Sequence, residues 1–497
     1  MKTLTRALTC LPPGLAIAIL AAACSFPDQA RPADRDPLAP DPVQRQPQAY
    51  YESQLIELPL RMRSYDLTGA GRRRPVVVRE LYTIHDSVRD EVIVIDADAG
   101  RNHMWNIDAY DFTLHWRTPI ENRVDFAPIA TRNYVFLMNH NGVFQAYDRF
   151  SSPREGESRL VNKGRFEGDI FPSAMPAAND SHLFVPTTNS NAMRGLSMIR
   201  GPRGLGPESW AFPPASGTGA SGFMQIGMPP AADGETVVFV NNNHRLYMVD
   251  ALSGDYRADP SLEAQSRTPP TIRDDLVFVG SDRGQIFAWQ KSGQSAWVGT
   301  VDGIPHGRIH VQDRWVFVRT LQVYDKEVPN EDGHGTRLQA SVRPGKLHAF
   351  HYRLVEVPGD RPVYELIDGD TSTPDIRDPI WSEPDVGQQV LMVNGGHVFV
   401  LYEVREEFLT ELEKAKLRSQ GRIVTKADEL RTVSRQLRVL DVSTGRLARP
   451  EWNLNLMDFS FVTGPMEERD RAIYMATTDG YLFKLYAAKG RSAAGGK

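Results

Sequence analysis

Residues 276–293 read LVFVGSDRGQIFAWQKSG, and this stretch decides the fold. It holds two short apolar runs, one on each side of Arg283-Gly284, and it ends at Gly293. Short runs rich in Val, Ile and Phe on either side of such a turn are typical of a β-hairpin. Glycine supplies the positive φ that a two-residue hairpin turn requires. The stretch therefore predicts two paired strands.

The same phrase recurs along the chain, each time as an aliphatic residue followed by an aromatic one at the start of an apolar run. The pairs are Val135-Phe136, Leu183-Phe184, Val238-Phe239, Val277-Phe278, Val316-Phe317, Val398-Phe399 and Ile473-Tyr474. Phe239 and Phe278 are 39 residues apart, and a weaker copy at residues 91–100 makes eight units. Repeats of roughly 40–50 residues with several short strands predict a β-propeller. We predict an all-β propeller of about eight four-stranded blades, with seven as the alternative.

The two ends of the repeat region predict how the ring closes. The last unit stops at residues 482–485, with no fourth apolar run after it. Residues 55–60, LIELPL, are a plausible completing strand from the other end of the chain. Pro59 has no N–H to donate, which suits the outer edge of a blade.

Two insertions interrupt the repeats. Residues 324–344 split unit 6 with a polar loop around residues 330–335. Residues 404–434 split unit 7 with a segment of helical composition, which Gly421 is expected to break into two helices. Phe408, Leu409 and Leu412 form only a narrow apolar stripe there. Such a helical hairpin either packs on its own propeller or docks a partner.

The N-terminal segment carries the pattern of an export signal. Lys2 and Arg6 precede an apolar run and three alanines that end at Cys24. This arrangement resembles a bacterial lipobox, and it predicts cleavage after residue 23 and lipidation of Cys24; ordinary secretion is the alternative. Ser25 resembles the residue that sorts lipoproteins to the outer membrane.

The predicted domain organisation follows from these boundaries. We expect a lipoprotein signal peptide at residues 1–23, a Pro-rich disordered tether at 24–53, the propeller at 54–487 and a disordered tail at 488–497. The only cysteines are Cys10 and Cys24, so residues 25–497 hold no disulfide or thiolate site. The formal net charge of −5 gives no support for nucleic-acid binding.

One motif carries a resemblance to a known family. Gly293 is followed four residues later by Trp297, and other units place an Asp ahead of the Gly. These phrases resemble the tryptophan-docking repeats of the pyrroloquinoline-quinone-like propellers. Within that family they are closest in kind to the repeats of the BamB-like outer-membrane assembly lipoproteins. The resemblance implies a structural role, with Trp packed between blades. The docking-motif residues are Asp96, Gly100, Trp105, Asp250, Gly254, Gly293, Trp297, Asp441, Gly445 and Trp452.

Other clusters favour blade construction over chemistry. His348 and His351 are three residues apart in a strand-like phrase, where their side chains point to opposite faces. Residues 96–100 echo a calcium loop, but position 12 is Ile107 rather than Glu. The remaining clusters are interpreted as turns, loops or solvated edges: residues 241–244, 368–370, 72–74 and His334. We therefore predict no catalytic residue, no metal ligand and no cofactor.

These observations favour an exported, lipid-anchored and non-enzymatic propeller that acts as a protein-interaction scaffold in the bacterial cell envelope. Its expected place is the outer membrane, and its expected partners are envelope or outer-membrane proteins that contact the rim or loops. Outer-membrane protein assembly is the specific role considered. The alternatives are a quinoprotein-like oxidoreductase and a carbohydrate- or peptidoglycan-binding propeller.

Overall fold

The computed structural model describes residues 60–67, 77–85, 90–98, 101–120, 125–150, 159–165, 171–188, 192–197, 208–213, 225–329, 336–355, 363–367, 377–384, 387, 389–407, 409, 411–419, 430–449, 452–464, 471–477 and 480–487. The chain divides into two units. One contains Met1–Pro42 and Arg405–Thr432, and the other contains Val43–Val404 and Val433–Lys497.

Strands make up nearly all of the regular structure. The first nineteen are β1 (Leu60–Asp66), β2 (Val77–His85), β3 (Asp90–Asp98), β4 (Arg101–Asp108), β5 (Leu114–Ile120), β6 (Ile129–Ala130), β7 (Tyr134–Met138), β8 (Val143–Asp148), β9 (Leu160–Arg165), β10 (Ala177–Ala178), β11 (His182–Pro186), β12 (Met193–Ser197), β13 (Glu208–Phe212), β14 (Ala231–Ala232), β15 (Thr236–Asn241), β16 (Arg245–Asp250), β17 (Tyr256–Ala258), β18 (Thr271–Arg273) and β19 (Leu276–Gly280). The rest are β20 (Gln285–Gln290), β21 (Ser295–Thr300), β22 (Ile304–Pro305), β23 (His310–Gln312), β24 (Trp315–Pro329), β25 (Thr336–Val355), β26 (Val363–Ile367), β27 (Trp381–Pro384), β28 (Gln389–Asn394), β29 (His397–Glu407), β30 (Leu430–Asp441), β31 (Leu454–Asn455), β32 (Phe461–Thr463), β33 (Ala472–Ala476) and β34 (Tyr481–Ala487), with one helix, α1 (Glu411–Ser419), between β29 and β30.

These strands form eight separate antiparallel sheets, which are the blades of a propeller. Blade 1 is β2–β5, blade 2 β6–β9, blade 3 β10–β13, blade 4 β14–β17, blade 5 β18–β21, blade 6 β22–β27 and blade 7 β28–β31. Blade 8 has the order β1-β34-β33-β32. The predicted all-β propeller of eight blades, with a small helical insertion, is confirmed.

Blade 8 is completed by a strand from the N-terminal side of the chain. β1 pairs with β34 in an antiparallel register that runs from Leu60 opposite Ala487 to Asp66 opposite Tyr481. The completing strand is thus residues 60–66, whereas the sequence suggested residues 55–60. Residues 55–59, with Pro59, lie outside the described part of the chain.

Eight apolar clusters hold the ring together, one between each pair of neighbouring blades. The cluster between blades 8 and 1 contains Val94 and Trp105 from blade 1 and Tyr474 and Leu482 from blade 8. Each blade is apolar on both faces, so its surface is removed from water only when a neighbour lies on each side. The closed ring leaves no end blade with an exposed face.

The repeated aromatic residues lie in these clusters, but one of them faces the other way. Phe278 packs between blades 5 and 6, whereas Phe239 packs between blades 3 and 4. The turns that follow them are 40 residues apart, since Asn241 and Ser281 accept the equivalent hydrogen bonds from His244 and Gly284. The 39-residue spacing of the phenylalanines is therefore one short of the structural period. A one-residue shift turns a strand side chain to the opposite face.

The first insertion is a projecting ribbon of two strands. β24 and β25 pair beyond the blade from Leu321 opposite Pro344 to Pro329 opposite Thr336. The sequence suggested a polar loop here. Strand pairing satisfies the backbone N–H and C=O groups that face the partner strand, which a solvated loop would leave to water. Residues 330–335 lie outside the described part.

The second insertion contains α1. Within the unit that holds it, Leu409, Lys414 and Leu417 are buried. Leu430, expected near the end of a second helix, instead begins β30, and Glu406 belongs to β29. Phe408, Gly421 and the side chain of Leu412 lie outside the description. Over the described residues, no helix has the length and apolar character to cross a membrane.

Candidate functional site

A five-residue turn between the third and fourth strands recurs in several blades, and we call it the docking turn. In blade 4, Oδ1 of Asp250 accepts the backbone N–H groups of Leu252 and Ser253, both at 2.9 Å. The N–H of Gly254 donates to the Asp250 carbonyl at 2.9 Å, with a φ of 73° at the glycine. Partial burial raises the pKa of Asp250, but these hydrogen bonds and the Arg257 guanidinium hold it at about 2.

The same turn is formed in blade 7. Oδ1 of Asp441 accepts the N–H groups of Ser443 at 2.9 Å and Thr444 at 3.0 Å. The N–H of Gly445 donates to the Asp441 carbonyl at 2.9 Å, with φ at 72°. The left-handed backbone explains why glycine occupies the fifth position.

A tryptophan from the preceding blade docks onto each of these turns. Trp210 of blade 3 donates its indole N–H to the carbonyl of Ala251 at 3.2 Å. Its ring covers Gly254 so closely that a Cβ there would lie 2.5 Å from Trp210 Cδ2. In blade 6, Trp381 donates to the carbonyl of Val442 at 2.8 Å and covers Gly445 in the same way. The Asp and Gly of one blade thus receive the Trp of the blade before it.

In blade 1, the docking turn is residues 108–112 rather than residues 96–100. Oδ1 of Asp108 accepts the N–H of Tyr110 at 2.7 Å, and Phe112 takes the glycine position with a φ of 65°. Trp116, four residues further on, donates to the carbonyl of Arg149 in blade 2 at 3.0 Å. The sequence reasoning missed Trp116 because Phe112 stands where other blades have glycine. The spacing of four and eight residues after Asp108 was the available signal.

Asp96 and Trp105 make a different contact, within blade 1. The fully buried Asp96 carboxylate accepts the indole N–H of Trp105 at 2.7 Å and the backbone N–H of His103 at 2.9 Å. Arg117 forms an ion pair with the same carboxylate at 3.1 Å. This cluster is a hydrogen-bonded polar network inside the blade. Gly100 lies outside the described residues.

The remaining docking-motif residues also lie between blades. Ala258 of blade 4, rather than a Trp, packs on Gly293, where a Cβ would lie 2.4 Å from the Ala258 Cβ. Trp297 lies in the cluster between blades 5 and 6, and Trp452 in the cluster between blades 7 and 8.

The seam between blades 8 and 1 uses other donors in place of an indole. The carbonyl of Ala109, in the docking turn of blade 1, accepts the Tyr474 hydroxyl at 3.1 Å and the Lys484 ammonium at 2.6 Å. Lys484 is 6% exposed, and its Nζ lies 5.4 Å from the centre of the Tyr474 ring. A charged donor thus closes the ring at this junction.

A buried ion pair joins blades 1 and 2. The Arg149 guanidinium lies 2.7 Å from Oε2 of Glu91, and both side chains are fully buried. Arg149 also donates from Nε to Glu91 Oε2 at 2.9 Å. Removing one partner of such a pair leaves a buried charge without compensation, which is strongly destabilising.

The outer side of the docking turns exposes large apolar side chains. Tyr110, Phe150 and Leu252 occupy the third position and are 79%, 43% and 66% exposed. The seventh position exposes Leu114, Tyr256 and Leu447 in blades 1, 4 and 7. Among described residues, twelve large apolar side chains are exposed, and half of them occupy these two positions. We call these six side chains the apolar rim.

The apolar rim and the β24–β25 ribbon leave the propeller at opposite faces. Neighbouring strands of every blade are antiparallel. The turn between the third and fourth strands is therefore at the opposite end of a blade from the turn between the second and third. The ribbon extends the latter turn in blade 6.

The family comparison fits this architecture. Residues 68–299 match the family model described as outer membrane protein assembly factor BamB. The chain is an eight-bladed β-propeller, and just under half of it matches this pyrroloquinoline-quinone-like family. The matched residues include blades 1 to 4 and nearly all of blade 5. No curated protein matches the chain.

Several solved structures align over most of the chain at low identity. BamB from Moraxella catarrhalis is 12% identical with a TM-score of 0.48, covering 87% of this chain and 98% of its own. Quinohemoprotein alcohol dehydrogenase from Comamonas testosteroni is 10% identical with a TM-score of 0.50, covering 88% of this chain and 78% of its own. The computationally designed Ika8 protein is 12% identical with a TM-score of 0.46, covering 85% and 98%. At such identities the likeness concerns the fold.

Within this propeller, the histidines singled out from the sequence have packing partners. His348 is fully buried, with Nδ1 2.7 Å from Ser382 Oγ and Nε2 3.2 Å from the Asp302 carbonyl. The ring of His351 stacks on that of Trp315 at 4.5 Å. In the described part of the chain, no group of three His, Cys, Asp or Glu side chains is placed to hold a metal ion.

The other sequence candidates are turns or lie outside the description. Residues 241–244 form the hairpin turn between β15 and β16, with the positive φ of 66° at His244. Residues 72–74, residues 368–370, His334 and Cys24 lie outside the described residues.

Proposed function

We propose that this protein is an exported, lipid-anchored scaffold of the bacterial cell envelope that binds outer-membrane assembly proteins through its apolar rim. The observation that carries the proposal is the rim itself. Six large apolar side chains stay exposed at two equivalent positions of the docking turns in blades 1, 2, 4 and 7, and exposed apolar groups are informative when they recur together rather than singly. Exposed apolar residues grouped on one side of a protein favour a protein-contact surface.

The name of the matching family supports the choice of partner. The family model over residues 68–299 is that of an outer membrane protein assembly factor. The lipobox-like segment that ends at Cys24 supports an anchor in the envelope. Lipid anchoring would keep the rim near membrane-bound partners, which raises their effective concentration.

The rim proposal is tested by copurification from detergent-solubilised membranes. The test variant combines Tyr110→Ser, Phe150→Ser and Leu252→Ser, which removes three exposed apolar side chains without opening the core. The matched control changes Val323 and Tyr324, exposed apolar residues on the ribbon at the opposite face, to Ser.

We expect an outer-membrane assembly protein, identified by mass spectrometry, to copurify with the unmodified protein and the ribbon variant. Its recovery should fall at least about tenfold with the rim variant, because buried contact side chains contribute about 1.5–3 kcal/mol each. Equal recovery with the rim variant, at unchanged thermal stability, would refute the proposal that the apolar rim binds the partner. Elution of the unmodified protein alone would refute the scaffold role.

The oxidoreductase and carbohydrate-binding alternatives stay predictions. Dye reduction with alcohols and sugars, after addition of the quinone and calcium, tests the first. Binding to purified peptidoglycan tests the second.

A further inference from the structure

The apolar rim shares its face of the propeller with many carboxylates. The docking turns of blades 1, 2, 4 and 7 all begin with an aspartate, and two of these turns carry a second aspartate next to a rim side chain. The six aspartates are Asp108, Asp111, Asp148, Asp250, Asp255 and Asp441. Over the described part of these turns, the basic side chains are Arg149 and Arg446. Arg149 is buried in its ion pair with Glu91, so the exposed charge of the turns is mainly negative.

A second ring of turns at the same face is also acidic. The turn between the first and second strands lies at the same end of an antiparallel blade as the docking turn. In blades 2 to 7 these turns are residues 131–133, 179–181, 233–235, 274–275, 313–314 and 395–396. Six carboxylates and two arginines lie in them: Asp180, Asp233, Glu235, Asp274, Asp275, Asp313, Arg132 and Arg314.

Hydrogen bonds within the turns favour the ionised form of these carboxylates. The Thr113 N–H lowers the pKa of Asp111, and the Ser443 hydroxyl lowers the pKa of Asp441. Ion pairs offset part of the charge, and they join Asp250 to Arg257, Asp233 to Lys291 and Asp313 to Arg471. Carboxylates still outnumber basic groups in both rings of turns, so the exposed apolar side chains lie in a region of negative potential.

The negative charge decides between a lipid surface and a protein as the occupant of the rim. Protein elements that lie on bilayers combine apolar side chains with Lys and Arg, which are attracted to anionic headgroups. The rim carries the opposite charge. A protein segment with both apolar and basic side chains is complementary to the rim in both respects, and complementary charge gives an interface its specificity.

The N-terminal part of the chain reaches the propeller at this same face. β34 is the third strand of blade 8 and β1 is the fourth, so the end of β34 at Ala487 and the start of β1 at Leu60 take the place of a docking turn. Arg63 of β1 donates to the carbonyl of Tyr110 in the rim at 3.2 Å. The chain that leads from the proposed lipid anchor at Cys24 therefore joins the rim face and not the face of the ribbon.

We propose that the apolar rim binds a basic, amphipathic segment of a partner protein. The apolar side chains of the segment pack on the rim, and its Lys or Arg side chains lie against the surrounding carboxylates. This inference rests on the proposed function, because it specifies which part of a membrane-associated partner the rim contacts. The buried apolar contacts supply most of the affinity, and the charges set orientation and the rate of association.

The test uses the purified protein and a fluorescein-labelled peptide of about 18 residues, made of leucine and lysine at the spacing of an amphipathic helix. Fluorescence anisotropy should give a dissociation constant of about 100 μM or lower. Peptides with Glu in place of Lys, or Ser in place of Leu, should bind at least about tenfold more weakly. Raising NaCl from about 50 to 500 mM should weaken binding of the lysine peptide, because salt screens exposed charges. Equal binding of the lysine and glutamate peptides, or no binding of the lysine peptide, would overturn the proposal.

A charge variant locates the binding on the rim. Asp111→Asn combined with Asp255→Asn removes two exposed charges. The new amide oxygens can still accept the Thr113 N–H and the Ser253 hydroxyl, which lie 2.8 and 2.7 Å from the carboxylates. Loss of two exposed ion pairs with the peptide should weaken binding about 2- to 30-fold. Unchanged binding, at unchanged thermal stability, would overturn the proposal.

The matched control removes two charges at the opposite face. Glu263→Gln and Asp302→Asn change carboxylates that are 57% and 63% exposed, each paired with one basic side chain. Both residues lie in connections between blades, at the end opposite the docking turns. Peptide binding should be unchanged in this control. A loss equal to that of the rim charge variant would show a general effect of net charge and overturn the proposal.

Vesicles of phosphatidylcholine test the lipid alternative. The Cys24→Ser protein, which cannot be lipidated, should not cosediment with them. Cosedimentation that is lost on adding Tyr110→Ser, Phe150→Ser and Leu252→Ser would assign the rim to lipid and overturn the proposal. If the peptide does not bind while an assembly protein still copurifies through the rim, this inference fails and the proposed function stands. If the peptide binds at the rim and no assembly protein copurifies, the proposed function fails and this inference stands.

Discussion

The docking of Trp210 on Gly254 makes a specific prediction about Gly254→Ala. The new methyl would lie 2.5 Å from Trp210 Cδ2, so the indole would have to leave the turn. Forcing an extra methyl into a packed contact costs about 1–3 kcal/mol. The φ of 73° adds about 1–2 kcal/mol for a residue with a Cβ. We expect the free energy of unfolding to fall by about 2–5 kcal/mol.

The assay is urea denaturation followed by circular dichroism, with thermal unfolding as a second readout. Gly234→Ala is the matched control from the same blade, because a Cβ there would meet nothing within 4 Å and its φ is not in the left-handed region. That variant should be neutral or stabilise slightly, since alanine restricts the unfolded chain.

A double-mutant cycle separates the two contributions. In a Trp210→Ala background, Gly254→Ala should cost only the backbone strain, about 1–2 kcal/mol. An equal cost of Gly254→Ala in both backgrounds would show that the indole and the glycine do not interact. Equal stability of the Gly254→Ala and Gly234→Ala proteins would refute the docking turn altogether.

Three further changes have expected outcomes. Arg149→Met should lower the free energy of unfolding by about 3–5 kcal/mol, because it leaves the Glu91 carboxylate buried without a partner. Urea denaturation measures this loss. A smaller loss in the double variant Glu91→Gln/Arg149→Met would identify the unpaired Glu91 charge as the cause. Burial lowers the pKa of His348 from 6.5 to about 4, so the unfolded chain binds a proton first as the pH falls below 6.5, and stability is lost between pH 6.5 and 4. His348 contributes about 2 kcal/mol to the loss of stability between pH 7 and 5. The loss in matched denaturation curves should therefore be smaller by about that amount in His348→Gln, with the remainder due to other buried histidines such as His310. An equal loss in both proteins would show that His348 does not contribute. Cys24→Ser should release the protein from membranes in soluble form, and unchanged sedimentation with the membrane fraction would contradict lipidation of Cys24.

The fold could be predicted because the same local sequence pattern recurs from blade to blade. An apolar strand, a turn glycine and a second apolar strand recur often enough that single departures do not matter. The face of the blade on which an individual side chain lies was harder to predict from the sequence. Phe239 matches Phe278 by type, yet the hairpin turns show that Val238 is its structural equivalent. Residue type alone does not distinguish a repeat length of 39 residues from one of 40 residues.

The docking turns were predictable only where glycine marks them. Gly254 and Gly445 stand at the left-handed position, and the sequence pattern found both. Phe112 adopts the same left-handed backbone, but a phenylalanine does not indicate this conformation in a sequence. The sequence pattern therefore pointed to Asp96 and Gly100 instead. The partner of each turn was also hidden, because the Trp that docks belongs to the preceding blade.

The pairing of β1 with β34 has a consequence for how the molecule is made. Leu60 is among the first residues of the propeller to be synthesised, and its partner Ala487 is among the last. Until blade 8 is complete, the face of blade 1 that carries Val94 and Trp105 has no neighbour. Contacts between distant parts of a chain form late, and exposed apolar surface promotes aggregation in the interval. The final step of folding is thus closure of a ring that must wait for its own C-terminal strand, which is when a chaperone would be needed most.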